Sequence, residues 1–189
     1  MELYFITGNQ GKFNEVKEIL KDVCEIKQLD IDLPEIQEID PHKIIKDKLN
    51  RALETQINSS EKIGFIVEDT SLYLDALNGL PGPLIKWFEK TIENKGIYKI
   101  AKSFGNLNAE AKTIVGIALP NQGGGVKFFE GSIWGEVCSP QGTGFGWDPI
   151  FKPEGYERCF GKFSKEEKNK ISMRKKALEK LKDYLMSVN

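Results

Sequence analysis

Apolar and polar positions along this chain follow two alternating periods, and the switches between them outline its elements. Leu3-Tyr4-Phe5-Ile6 is a short apolar run that predicts a strand. Phe13, Val16, Ile19 and Leu20 then recur with the helical period, predicting a helix over about 12–22. A strand near 24–31 and a helix over about 41–56 follow, then a strand at Ile63-Gly64-Phe65-Ile66-Val67. Glycine and proline at 79–83 break the chain, and helices are expected from Leu84 to about Lys90 and from Ile97 to Phe104. Ile97, Ile100, Ala101 and Phe104 form the stripe of the second.

The middle of the chain reads as β structure. Thr113–Leu119, Val126–Gly131 and Ser132–Cys138 are rich in β-branched and aromatic residues, and Asn121–Gly125 reads as a hairpin loop between the first two. Helix returns at the end. Ser164-Lys165-Glu166-Glu167 has capping-box spacing, and Ser172 can cap a last helix with the stripe Ala177, Leu178, Leu181, Tyr184 and Leu185. Strand and helix in this order predict an α/β fold with a mixed sheet. There are no repeats or low-complexity linkers, and composition shows no domain boundary.

Composition narrows the function by exclusion. A chain of 189 residues forms one domain or a compact two-part unit with a sizeable core. A net charge of −1 leaves no basic footprint for nucleic acid. No run of apolar residues is long enough for a membrane span, and no signal peptide is expected at the N-terminus. Cys24, Cys138 and Cys159 lack C-x-x-C spacing, which predicts free thiols in a reducing cytosol. The single histidine, His42, excludes a histidine-rich zinc site and reads as a surface residue near a helix start. Metal chemistry here must be carboxylate chemistry, which suits magnesium.

Candidate chemistry begins at Thr7-Gly8-Asn9-Gln10-Gly11-Lys12, between the first strand and the first helix. Backbone N–H groups at a helix start and the helix dipole favour an anion there, and Lys12 adds a charge for phosphate. The P-loop spacing is absent, and a plain turn with a solvated lysine is the competing reading. Glu68-Asp69-Thr70 follows the third strand, so its carboxylates are expected at that strand's C-terminal end, where open α/β sheets bind ligands. Gly144-Phe145-Gly146-Trp147-Asp148-Pro149 sets two aromatics and an acid in a glycine-rich loop. Glu167-Lys168-Asn169 and Ser172-Met173-Arg174 lie near the C-terminus.

In this order the pieces resemble the inosine triphosphate pyrophosphatase family over nearly the whole chain. The resemblance rests on the T-G-N-x-x-K loop, Leu33-Pro34-Glu35, the E-D-T triplet, Gly79-Leu80-Pro81-Gly82-Pro83 with Lys86-Trp87-Phe88, and the F-G-W-D-P loop. It implies hydrolysis of deaminated purine nucleoside triphosphates to monophosphate and pyrophosphate. The fold it implies is a single domain over 1–189: a long, curved mixed sheet with flanking helices, two lobes and a central nucleotide cleft. It further implies Mg2+ as cofactor, a cytoplasmic homodimer, and neither nucleic-acid nor membrane partners. The family carries histidine where this chain has Met173.

The resemblance also assigns roles. Lys12, Lys48, Lys86, Lys168 and Arg174 fall at family cation positions, although any one of them taken alone reads as a surface charge. Asp69 is the first metal and catalytic residue, with Glu35 and Glu68 as companions. Acids at 68 and 69 on an extended segment point to opposite faces, so one faces the nucleotide and the other can hold a water or a lysine. Catalysis is assigned to Asp69, Glu35 and Lys12. Thr7 and Asn9 serve sugar and phosphates, and Gly8 and Thr70 are further substrate-binding residues. Phe145 and Gly146 frame the base, Asp148 accepts from the purine N1–H, and Arg174 donates to the 6-oxo group. Trp147 either joins them or packs in the core. The competing functional reading is a catalytically weak nucleotide-binding or sensing protein whose base specificity is altered by Met173. A nucleic-acid module using Lys175, Lys176, Lys180 and Lys182 is disfavoured, because Glu179 and Asp183 interleave them.

Overall fold

The computed structural model describes residues 2–31, 33–54, 63–119 and 125–188. In chain order its elements are β1 (Glu2–Ile6), α1 (Gln10–Leu20), β2 (Glu25–Leu29), α2 (Pro41–Glu54), β3 (Gly64–Leu74), β4 (Pro81–Gly82), α3 (Ile85–Ser103), β5 (Asn108–Ala118), β6 (Val126–Val137), β7 (Phe151–Pro153), α4 (Lys165–Ile171) and α5 (Met173–Val188). The strands form one mixed sheet in the order β2-β1-β3-β5-β6-β7, with β4 beside β3. β1 runs parallel to β2 and β3, whereas β4 is antiparallel to β3 and β7 to β6. The expected α/β fold with a mixed sheet and flanking helices is therefore the one observed.

The chain divides into two compact units. The first comprises Met1–Asp69, Ile114–Glu130 and Lys175–Asn189, and the second Thr70–Thr113 and Gly131–Arg174. In the first, alternation along the strands sorts side chains to two faces. Leu3, Phe5, Ile66, Val115 and Ile117 are buried with Val16 and Leu20 of α1 and Ala177, Leu178, Leu181 and Leu185 of α5. Phe65, Val67, Ile114 and Ala118 are buried on the other side with Ile45, Leu49 and Ala52 of α2. That helix lies so close to β5 that a Cβ on Gly116 would collide with Ile45 and Leu49. In the second unit, Leu72, Leu74, Ile85, Ile97, Ile133, Val137, Phe151 and Phe160 form a separate core.

Several expectations need correction. β3 does not end at Val67 but continues to Leu74, because Leu72 and Tyr73 find a new antiparallel partner in β4. Glu68 and Asp69 are thus inside a strand, just past the parallel ladder, whose last pair is Phe5 with Ile66. The segments split at Gly131 are one strand, β6, and β5 starts earlier, at Asn108. The two helices expected over 84–104 are present: α3 consists of two helical stretches joined by a kink at the non-helical residue Glu93. Phe104 ends that helix exposed, outside the apolar stripe. His42 does lie at the start of α2 with its side chain 40 % exposed, as expected, and there its Nε2 lies 2.9 Å from Glu130 Oε1 and its ring meets Phe128 edge-on. The loop residues 121–124 and the helix end at 55–56 lie outside the described residues.

The thiol expectation also fails. Cys138 and Cys159 form a disulfide, and Cys24 is the buried free cysteine. The pair stand 21 residues apart and meet only because the end of β6 folds against the segment before Phe160; the Cys138 N–H donates to the Ile150 carbonyl at 2.8 Å. Linear spacing carries no signal for such a contact, and the free-thiol argument for a reducing compartment falls with it. Thiol titration in denaturant without reductant should find one thiol per chain, rising to three after reduction. Three thiols before reduction would rule the bridge out.

Candidate active site

The opening loop is built around the start of α1. Asn9 caps the helix, its Oδ1 accepting from the Lys12 N–H at 3.0 Å, and the Asn9 N–H donates to Thr7 Oγ1 at 3.1 Å. Thr7 and Asn9 therefore hold the loop's own shape. Gln28 Nε2 donates to the Thr7 carbonyl at 2.8 Å, tying the loop to β2. Gly8 and Gly11 lie at the loop tip and in the first turn, and a Cβ at Gly8 would meet Asp30 Oδ1 at 2.9 Å.

The register of β1 on β3 sets Glu68 beside this loop. Lys12 Nζ meets Glu68 Oε1 at 2.9 Å, with the glutamate side chain 2 % exposed and the lysine 21 %. The acid that holds a lysine is thus Glu68. Asp69, the next residue on the extended strand, is half-buried. Lys48 of α2 pairs with the exposed Glu35. Among the described residues, no three His, Cys, Asp or Glu side chains converge into a ready-made metal cage. Magnesium does not need one, since it is held by one or two carboxylates with substrate phosphates and water. Glu35, Glu68 and Asp69 supply oxygen donors of the right hardness and so fit such an ion.

In the second unit, Phe145-Gly146-Trp147-Asp148 forms a tight loop. Asp148 is buried, and both its oxygens take Lys168 Nζ at 2.6 Å, while Oδ2 also accepts the Phe145 N–H at 3.1 Å. Asp148 and Lys168 therefore organise the loop through each other. Phe145 is 67 % exposed and offers an open ring face, whereas Trp147, at 5 %, packs edge-on against Phe151 in the core. Met173, the first residue of α5, is 2 % exposed in the same core, and neither buried side chain presents surface to a ligand. Arg174 is buried next to it, Lys86 is exposed on α3, and Thr70 Oγ1 lies 2.9 Å from Thr113 Oγ1.

Residues 3–184 match the Ham1 family. The chain belongs to that family. Over 186 residues it is 39 % identical to the inosine triphosphate pyrophosphatase of Schizosaccharomyces pombe, covering 98 % of this chain and 95 % of the relative. The Ham1 protein of Staphylococcus aureus superposes with a TM-score of 0.79 at 25 % identity over the full length of both chains. A Ham1 protein from Coxiella burnetii gives a TM-score of 0.82 at 24 % identity, covering 99 % of each chain, a likeness of fold.

Two residues around the loop of this Ham1 chain carry no motif and escape a reading of the sequence. Glu89 of α3 lies against Gly146: a Cβ there would meet Glu89 Oε1 at 2.9 Å, and Gly146 itself has φ +60. Asn94 Nδ2 donates to the Gly146 carbonyl at 2.9 Å. Burial first, and the Asp148 charge second, hold the Glu89 carboxyl above the ordinary carboxylate range. The folded chain thus binds this proton more tightly than the unfolded chain does. The resulting stability is complete below the ordinary carboxylate value of about 4.3 and is lost as pH rises through the raised value. Glu89→Gln should therefore melt above the parent at neutral pH, with the gap closing toward pH 4. A gap that is constant from pH 4 to 8 in thermal melts would exclude this account.

Proposed function

We propose that this Ham1 chain hydrolyses deaminated purine nucleoside triphosphates, ITP, dITP and XTP, to the monophosphate and pyrophosphate, clearing them from the nucleotide pool. The observation that carries the reading is the 39 % identity, over 98 % of the chain, to a protein named inosine triphosphate pyrophosphatase. The acid–lysine pairing of Glu68 with Lys12 and Glu35 with Lys48 suits that chemistry. A triphosphate carries about four negative charges, so its site needs both cations and metal-holding acids. Each pair can exchange partners on binding, the lysine turning to phosphate and the carboxylate to the metal.

In this scheme water attacks the α-phosphorus and the bond to the bridging α–β oxygen breaks, so pyrophosphate leaves. Asp69 orients the water and takes its proton. Lys12, Lys48 and Lys86 hold the phosphates and stabilise the charge that develops on the leaving group. Asp69, with Glu35 and Glu68, would hold Mg2+, which would supply neutralisation of phosphate charge and a lower pKa for nearby water. Phe145 stacks on the purine, Asp148 accepts from N1–H, and Arg174 donates to the 6-oxo oxygen, where adenine would present a clashing donor. Lys168 donates to both Asp148 oxygens and so orients that carboxyl for the role. The family likeness carries the expectation of a homodimer. Cytoplasmic location follows from a nucleotide-pool substrate. Among the described residues, no helix is long and apolar enough to cross a membrane. No observation favours a weakly catalytic sensor.

With Mg2+, the protein should convert ITP to IMP and pyrophosphate, and chelation should abolish turnover. Asp69→Asn should lose activity by at least about a hundredfold with the circular dichroism spectrum retained. Release of orthophosphate and IDP would place the attack at the γ-phosphorus and defeat the scheme. Lys12→Ala should raise KM for ITP and lower kcat/KM; unchanged kinetics would reduce the opening loop to a turn. Met173→His, which restores the family residue, should raise the ITP-over-ATP ratio of kcat/KM by roughly fivefold if this position reads the base. A flat ratio would leave Met173 a packing residue, in keeping with its burial.

A further inference from the structure

α3 departs from helical geometry at one residue. Glu93 has φ 57 and ψ 174, a conformation that residues other than glycine rarely adopt and that persists only where the surroundings enforce it. Asn94 follows directly. Its amide nitrogen reaches across 52 residues of sequence to the carbonyl of Gly146 at 2.9 Å, while its Oδ1 is buried with no hydrogen-bond partner among the described residues. A flipped amide would set Oδ1 against that carbonyl, so the bonded orientation is the only productive one. On the helical stretch before that break, Glu89 closes off the Gly146 α-carbon. Gly146 is the hinge between the exposed Phe145 ring and the buried Trp147. Its carbonyl belongs to the peptide that runs on to Trp147, so the Asn94 bond holds the core side of the hinge on which Phe145 turns.

We propose that Asn94, turned inward by the positive-φ break at Glu93, is a positioning residue that clamps the Gly146 peptide and thereby sets purine discrimination by the Phe145–Asp148 loop. Asn94 touches no reacting atom and acts through the loop. The proposal rests on the assignment of that loop to the base. A regular helix through Glu93 would rotate Asn94 away from Gly146, so the break and the hydrogen bond form one device.

Three variants test it. Asn94→Asp keeps shape but removes the donor, Glu93→Val rejects positive φ, and Glu93→Gly accepts it. Hydrogen exchange of residues 142–148 reads the clamp without any substrate. Asn94→Asp and Glu93→Val should each speed exchange there by about fivefold, the worth of one neutral hydrogen bond, while Glu93→Gly stays within twofold of the parent. In kinetics the first two should raise KM for ITP by about fivefold with kcat within twofold, and lower the ITP-over-ATP ratio of kcat/KM by a similar factor. Unchanged loop exchange in Asn94→Asp overturns the clamp whatever the substrate. Faster exchange with unchanged KM and ratio overturns the link to base discrimination. Loss in all three variants alike means that only helix integrity matters. Parent protein that leaves ITP intact refutes the functional reading instead, and the exchange measurement still decides the clamp.

Discussion

A buried carboxylate must be given a cation, and in the first unit that requirement joins the opening loop to the sheet. Glu68 stands on β3 almost wholly removed from water, where an unpaired charge would cost several kcal/mol. Lys12 supplies the counter-charge from the first turn of α1. The parallel register of Phe5 with Ile66 brings the end of β1 level with the stretch of β3 that carries Glu68. The pair is therefore a product of strand order, with β1 between β2 and β3. It also leaves Asp69, the next residue, directed to the opposite face by the two-residue repeat of the strand.

The second unit solves a similar problem differently. Asp148 is buried in a loop instead of a strand, so its partners are Lys168 from α4 and the Phe145 N–H. Among the described residues Glu89 nearby has no such cation, and burial lets it keep its proton to higher pH. Asp148 is thus paired with a cation, while burial raises the pKa of Glu89 on the helix packed against the loop.

Much of the chemistry could be read from residue order. The T-G-N-x-x-K loop, the E-D-T triplet and the F-G-W-D-P loop identify the family, and the chain's membership follows from a match over residues 3–184. The capping box at Ser164 was legible because it is local: both reciprocal hydrogen bonds join residues three apart. The apolar stripe of α5 was legible for the same reason, since Ala177, Leu178, Leu181 and Leu185 repeat at the helical period and all are buried.

What stayed hidden depends on partners distant in sequence. Nothing local to Ser71–Leu74 announces β4 as the partner that lengthens β3, and nothing in the spacing of Cys138 and Cys159 announces their bridge. Trp147 was undecided between base and core until the packing of Phe151 placed it in the core. Asn94 and Glu89 look like ordinary surface residues of an amphipathic helix; only the fold sets them against Gly146, 52 residues beyond Asn94. The sequence by itself determined the element types, the family and the reactive residue kinds, because these are written in short-range periodicity and motif. Tertiary structure alone decided which charges pair and which aromatics are buried, because desolvation and close packing act between segments that the linear order keeps apart.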